Sequence, residues 1–288
     1  MIVRPDRRRQ GAGLVGDGAD ADAGGTRRVR ALWLRPRVPG GTRPWDCQAD
    51  DGAWYVVKCI NNPQDRRVAP PSKVLPTELF CARLGRLFDP PLCPEPVVVD
   101  VPEAVAAAAL HPRTRRRPAE RAGPGPAFGS RRLDGAMEIK GDGGGRLARV
   151  PLPRLARVVL FHSWLRGVDV SALVTESGDI VSIDHGYFLG GHRWDPGRLS
   201  SPEPVRLKVA SQAGPPERLL ADPGYLREAL EELLAVSEDR IAAAFAAPPP
   251  EWGVSAEVRA LAATWVLRRR QGLARAIDNA SRRRRLGR

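Results

Sequence analysis

Four charged side chains stand where one kind of chemistry would use them. Lys58 closes the apolar run WYVVKCI, where an ammonium is costly to bury unless a carboxylate or a phosphate faces it. The plain alternative is a lysine that snorkels from a strand end. Glu78, in the run TELFCARLGRLF, is a candidate partner for that ammonium, although an acid in a first helical turn is favourable without one. Asp169 follows a long apolar stretch ending in WLRGVD, and Asp184 sits in VSIDHG at 181–186. Asp184 is either a turn former bonded to its own backbone or a hard oxygen donor suited to a magnesium ion. Gly40, Gly41 and Thr42 could cradle a phosphate with backbone N–H groups, or form an everyday turn. Phosphoryl transfer from ATP needs such parts: a Gly-rich turn, a lysine for phosphate charge, an acid to orient it, and carboxylates for metal and nucleophile. Each has a candidate here, in the order required.

Other chemistries find less support. There is no GxSxG elbow, and His162 and His185 read as hydrogen-bonded packing histidines. Cys47, Cys59, Cys81 and Cys93 form no CxxC pair and have no histidine at metal spacing, so packed, reduced thiols are expected. The net charge of +13 invites a nucleic-acid reading. Its distribution argues against one. Lys occurs only at 58, 73, 140 and 208, Arg supplies the rest of the 46 cations, and the densest arginine runs fall in tails or a Pro/Gly-rich insert. Specific nucleic-acid binding is not expected. No apolar stretch is long enough to span a bilayer and the N-terminus is no signal peptide, so a cytoplasmic protein without membrane contact is expected.

The elements that must position the charged residues follow from pattern. Residues 1–26 carry few large apolar side chains and are expected to be a disordered tail. VRALWL alternates like a strand, and DDG at 50–52 introduces a second strand ending at Lys58. A helix is expected over Thr77–Phe88 with Thr77 as its cap and an amphipathic period. PEPVVVDV at 94–101 reads as a strand, 103–110 as a short Ala-rich helix, HPRTRRRPAERAGPGP as a flexible insert, and AFGSRRL as a short extended piece. LPRLARVVLFHSWLRGV at 152–168 predicts a largely buried helix. SALV and DIVSI flank the turn ESGD, a hairpin whose ends carry Asp169 and Asp184. Helices over about 223–246 and 254–280 close the chain.

The wording of WYVVKCINNPQ, TELFCARLGRLFDPPLCPEP, AFGSRRL, the helix running to WLRGVD, and VSIDHGYFLGGHRWDP resembles the HipA-like kinase domain family, a branch of the bacterial protein-kinase-like fold. The resemblance covers roughly 28–270. It implies an α+β, bilobal protein-kinase-like fold with a β-rich N-lobe and a mainly helical C-lobe, binding ATP and Mg2+ between them. It makes Lys58 the ATP lysine, Asp169 the counterpart of the catalytic aspartate and Asp184 that of the metal aspartate. The implied division is a tail at 1–26, a nucleotide-binding N-lobe at 27–101, a connector with the insert at 102–126, a C-lobe at 127–280 and a basic tail at 281–288. The expected activity is transfer of phosphate to a hydroxyl of a protein or small-molecule acceptor. One departure matters. Family members usually carry one or two Asn soon after the catalytic Asp, whereas Asp169 is followed by VSALV and no Asn lies between 63 and 278. Ser171 or Thr175 could offer a hydroxyl instead. The alternative expectation is therefore a pseudokinase or nucleotide-binding regulatory module with little or no transfer.

Overall fold

The computed structural model describes residues 25–37, 43–61, 73–112, 119–139, 150–167, 171–190, 196–201, 203–207 and 217–285. Five strands close into a barrel in the order β1 (Arg28–Pro36), β2 (Trp45–Ala49), β3 (Trp54–Lys58), β7 (Gly125–Arg131) and β4 (Pro96–Val101). All neighbours are antiparallel except β1 and β4. The alternation of VRALWL does make a strand, but a register shift between Ala31 and Trp33 leaves Leu32 and Trp33 exposed side by side, as a bulge does.

The valine run of β4 is buried on both faces because the barrel wall separates two cores. Val97 and Val99 point into the barrel with Tyr55 and Val57, whereas Val98 and Phe128 join the larger core that the helices complete. Gly129 of β7 is needed for closure, since a Cβ there would lie 2.6 Å from a methyl of Val99. AFGSRRL, expected as a minor extended piece, is thus the strand bonded to both β3 and β4.

Helix α1 is Val74–Gly85, three residues earlier at each end than expected. Thr77 is not its cap. Its hydroxyl donates to the Lys73 carbonyl inside the first turns, and Glu78 therefore sits beyond the first turn, where the helix terminus does nothing for it. Nor is the helix amphipathic: among its residues only Arg83 escapes full burial, because α1 packs on β4 and β7 of the barrel and, on its other side, on the chain at 244–246, where Phe80 meets Phe245 and Arg83 donates to the Ala246 carbonyl. The short helix α2 is Glu103–Ala108. The insert is folded at its edges, where β5 (Leu110–His111) pairs with β6 (Glu120–Arg121), and its last residues already belong to β7; residues 113–118 lie outside the described residues.

Helix α3 (Leu152–Trp164) is buried from Leu155 onward, and Arg269 of the long C-terminal helix α8 (Ala256–Arg285) caps its end, donating to the carbonyls of Ser163 at 2.7 Å and Trp164 at 2.6 Å. The expected hairpin forms as β9 (Ala172–Val174) and β10 (Ile180–Ser182), with β8 (Met137–Ile139) as an unforeseen third strand. The chain then runs through α4 (Pro196–Ser200), α5 (Glu217–Ala221), α6 (Gly224–Ala235) and α7 (Glu238–Ala243). The single helix expected over 223–246 breaks at Ser237, which caps α7 by accepting from the Arg240 N–H at 3.3 Å. The basic tail expected from 281 is helical as far as Arg285. Of the tail expected at 1–26, residues 1–24 lie outside the described residues, and Thr26 accepts from Arg83 Nε at 2.8 Å. Among the described residues no helix is long and apolar enough to cross a membrane.

Candidate functional site

Strand periodicity aims the lysine. Tyr55 and Val57 face the barrel interior, so Trp54, Val56 and Lys58 share the opposite face, beside Phe128 and Ser130 of the paired strand β7. Helix α1 covers that face and brings Glu78, whose carboxylate is 2% exposed, onto the Lys58 ammonium. Asp184 arrives from β10 after a turn in which it takes φ +60°, a conformation aspartate tolerates better than most residues. It does not act as a turn former. Its Oδ1 accepts from the Lys58 Nζ at 2.5 Å.

Lys58, Glu78 and Asp184, separated by up to 126 positions, therefore meet at one ammonium. Burial alone would raise the Glu78 pKa, yet the charge of Lys58 and the hydrogen bond from His185 hold it at about 2, below its ordinary 4.5. Burial likewise works against the Lys58 charge, and the two carboxylates more than offset it, leaving its pKa raised. Both partners are ionised at neutral pH. Asp184 differs from them, with its side chain 39% exposed.

The triad forms one wall of a cavity of about 120 Å³ that Val56, Phe128 and Ser130 also line. That is below the ~300–1,000 Å³ of a whole ligand site, and suits the polar end of a ligand. An open carboxylate beside a paired ammonium fits magnesium with a phosphate, because this ion is commonly held by one or two carboxylates plus phosphate oxygens. Among the described residues no three His, Cys, Asp or Glu side chains group as a protein-only metal site would require. Gly40, Gly41, Thr42 and Asp169 lie outside the described residues. The residues flanking 168–170 are fixed close by: the Gly167 N–H donates to the His162 carbonyl at 2.7 Å, and the Ser171 carbonyl accepts from Ile183 N–H at 3.0 Å, next to Asp184. Thr175 is no stand-in for a missing Asn. Its hydroxyl lies 2.8 Å from that of Ser177 within the hairpin turn.

A polar chain backs the triad. The backbone N–H of His185 donates to Glu78 Oε2 at 2.9 Å, His185 Nε2 lies 2.8 Å from Ser182 Oγ, and Ser182 Oγ lies 2.7 Å from His162 Nε2. Both imidazoles are buried and hydrogen-bonded, as packing histidines are, and the Phe188 ring sits 4.9 Å from each. Phe188 also fills the space a side chain at Gly167 would need, with its ring 2.7 Å from a Cβ built there. Sequence reasoning missed Ser182, whose only signal is its place two residues before Asp184. All four cysteines are free and buried, and burial pushes the Cys47 and Cys59 thiols up to about 12, so none is a ready nucleophile.

The family model for HipA-like kinases matches residues 34–180, just over half of the chain. Two solved structures are similar: the Golgi casein kinase, at 9% identity and TM-score 0.49 over 88% of this chain and 72% of that one, and the Golgi casein kinase with Mn/ADP bound, at 9% identity and TM-score 0.50 over 87% and 73%. At that identity the second likeness speaks to the fold alone, a protein-kinase-like α+β fold. No curated protein matches the chain. With the matched segment running from the first barrel strand to the start of β10, and with the fold in agreement, this chain belongs to the HipA-like kinase family.

Proposed function

We propose that the chain binds ATP with Mg2+ in the cleft between the barrel and the helices and transfers the terminal phosphoryl group to a hydroxyl of an acceptor. The observation that carries this reading is the Lys58 ammonium held between Glu78 and Asp184 on the wall of a cavity. In it the barrel serves as N-lobe and the helical part as C-lobe. Lys58 meets the phosphates, Glu78 keeps the ammonium aimed, and the open side of Asp184 holds the metal. Magnesium, held through Asp184, would supply positive charge against that developing on the phosphates. Asp169 orients the acceptor hydroxyl; it is two residues from Ser171, whose carbonyl is fixed beside the Asp184 turn, and two residues span at most about 7 Å. Gly40, Gly41 and Thr42 cradle the phosphates. The ADP and Mn of the Golgi casein kinase structure agree with such a site.

Thermal unfolding with and without ATP and Mg2+ tests the pocket: at 100 times its dissociation constant ATP adds about 2.7 kcal/mol. No stabilisation at millimolar ATP overturns the proposal. ADP release by the wild type and by Asp169→Ala tests the chemistry, with a drop of at least a hundredfold expected. Equal rates would reduce the chain to a nucleotide-binding module.

A further inference from the structure

The hydroxyl of Ser182 lies within hydrogen-bond distance of two ring nitrogens, His162 Nε2 and His185 Nε2, and the other nitrogen of His185 faces a carboxylate, Glu78 Oε2, at 3.6 Å. This arrangement has a parity. A neutral imidazole donates from one nitrogen and accepts at the other, and a hydroxyl donates one proton only. Were His185 Nδ1 bare, its lone pair would face an ionised carboxylate at 3.6 Å, so the proton belongs on Nδ1. In the neutral ring His185 Nε2 then accepts, and the proton it accepts is that of Ser182. With its proton committed, Ser182 Oγ can only accept from His162, which must carry its proton on Nε2. The Cys93 sulfur, 3.8 Å from His185 Nε2, fits the same assignment, because a buried thiol is at most a weak donor to it.

We propose that His162, Ser182 and His185 form a one-directional relay, by hydrogen bonds from His162 to Ser182 to His185 and by a 3.6 Å charge contact from His185 Nδ1–H to Glu78, that together with the His185 backbone N–H fixes the Glu78 carboxylate and through it the Lys58 ammonium. Ser182 and His185 also line the cavity, but in this scheme all three act through Glu78 and are positioning residues. The relay joins the elements the site needs in register: α3, which leads to 168–170, β10, which leads to Asp184, and α1, which carries Glu78. Its consequence for nucleotide affinity rests on the function proposed above, while its direction does not.

The test therefore has two readouts. The chain has only 4 histidines, so two-bond correlations between ring protons and ring nitrogens in 15N-labelled full-length protein can be assigned. The relay requires the proton on Nδ1 of His185 and on Nε2 of His162; a His185 ring protonated on Nε2 overturns it, whether or not ATP binds. Titration with ATP and Mg2+ reads the positioning. Ser182→Ala is expected to weaken nucleotide binding about tenfold, the scale of a hydrogen bond that supports a charged group. His185→Asn, which keeps an N–H where Nδ1 lies but loses the contact to Ser182, should weaken binding no more than Ser182→Ala does, and His185→Gln, with its amide at the Nε2 place and no donor to Glu78, should weaken it further. Equal affinity for Asn and Gln at equal unfolding temperature would show that the imidazole merely fills space and would overturn the positioning claim. A wild type that binds no nucleotide would sink the kinase reading, and the ring protons would still decide the relay.

Discussion

Two buried ion pairs in this protein invite comparison. Arg43 and Glu120, 7% and 10% exposed, meet at 3.2 Å where the β5–β6 ribbon folds against the barrel, and the gap beside them is only about 10 Å³. Lys58 and Glu78 are at least as buried, yet their ammonium is shared with a third group, Asp184, that stays 39% exposed on a cavity wall. The first pair is sealed by its surroundings, with the His111 ring packed at a tilt against Trp45, 4.2 Å between centroids, alongside it. Burial of opposite charge is therefore no mark of function in itself. What separates the two is an open partner, a carboxylate that can exchange a protein cation for an external one.

Removing the cations breaks the comparison most sharply. Lys58→Met leaves Glu78 buried without its ammonium, a change that costs about 3–5 kcal/mol in stability, and it should also abolish the ATP-dependent rise in unfolding temperature. Arg43→Met should cost up to a similar amount by the same argument and leave the response to ATP intact. Denaturant unfolding of both variants, with and without ATP, checks both statements. Loss of the ATP response in both would mean that the two pairs are not distinct.

The acid limb offers a finer contrast. The folded pKa of Glu78 is depressed to about 2 from 4.5, so its contribution to stability is complete above the ordinary value and is lost as pH falls from about 4.5 to about 2. Glu78→Gln should flatten the stability profile across that window, which urea midpoints at successive pH values would show. A steeper profile in the variant would contradict the pairing. The smallest structural effect belongs to Asp184→Asn. Its exposed side chain is expected to change stability by less than about 1 kcal/mol, and Asn accepts the left-handed backbone as Asp does. The Mg2+-dependent part of ATP stabilisation should nonetheless fall by about tenfold or more in affinity, measured by titrating the metal.

Much of this contrast was legible in the sequence because polar residues at the end of buried runs are conspicuous. Lys58 closes an apolar strand, and Asp184 follows β-branched residues into a turn; both were recognisable from period and chemistry. Glu78 was named for the right partner but in the wrong place, because local signals suggested a cap at Thr77 where tertiary burial carries the helix back to Val74. The insert after His111 read as flexible for its arginines and prolines, and its pairing across β5 and β6 depends on the barrel wall, a contact no local pattern encodes. The relay was invisible for a related reason. His162 and Ser182 lie 20 positions apart on different elements, and only packing of α3 against β10 brings them together.

Gly167 carries a last consequence. The aromatic ring that occupies its missing side chain is the same ring wedged against both imidazoles, so α3's exit and the Asp184 turn are keyed to each other by shape as well as by hydrogen bonds. A single methyl group at 167 would act as a crowbar there, prising Phe188 from the histidines and loosening two ends of the cleft at once without altering one charge.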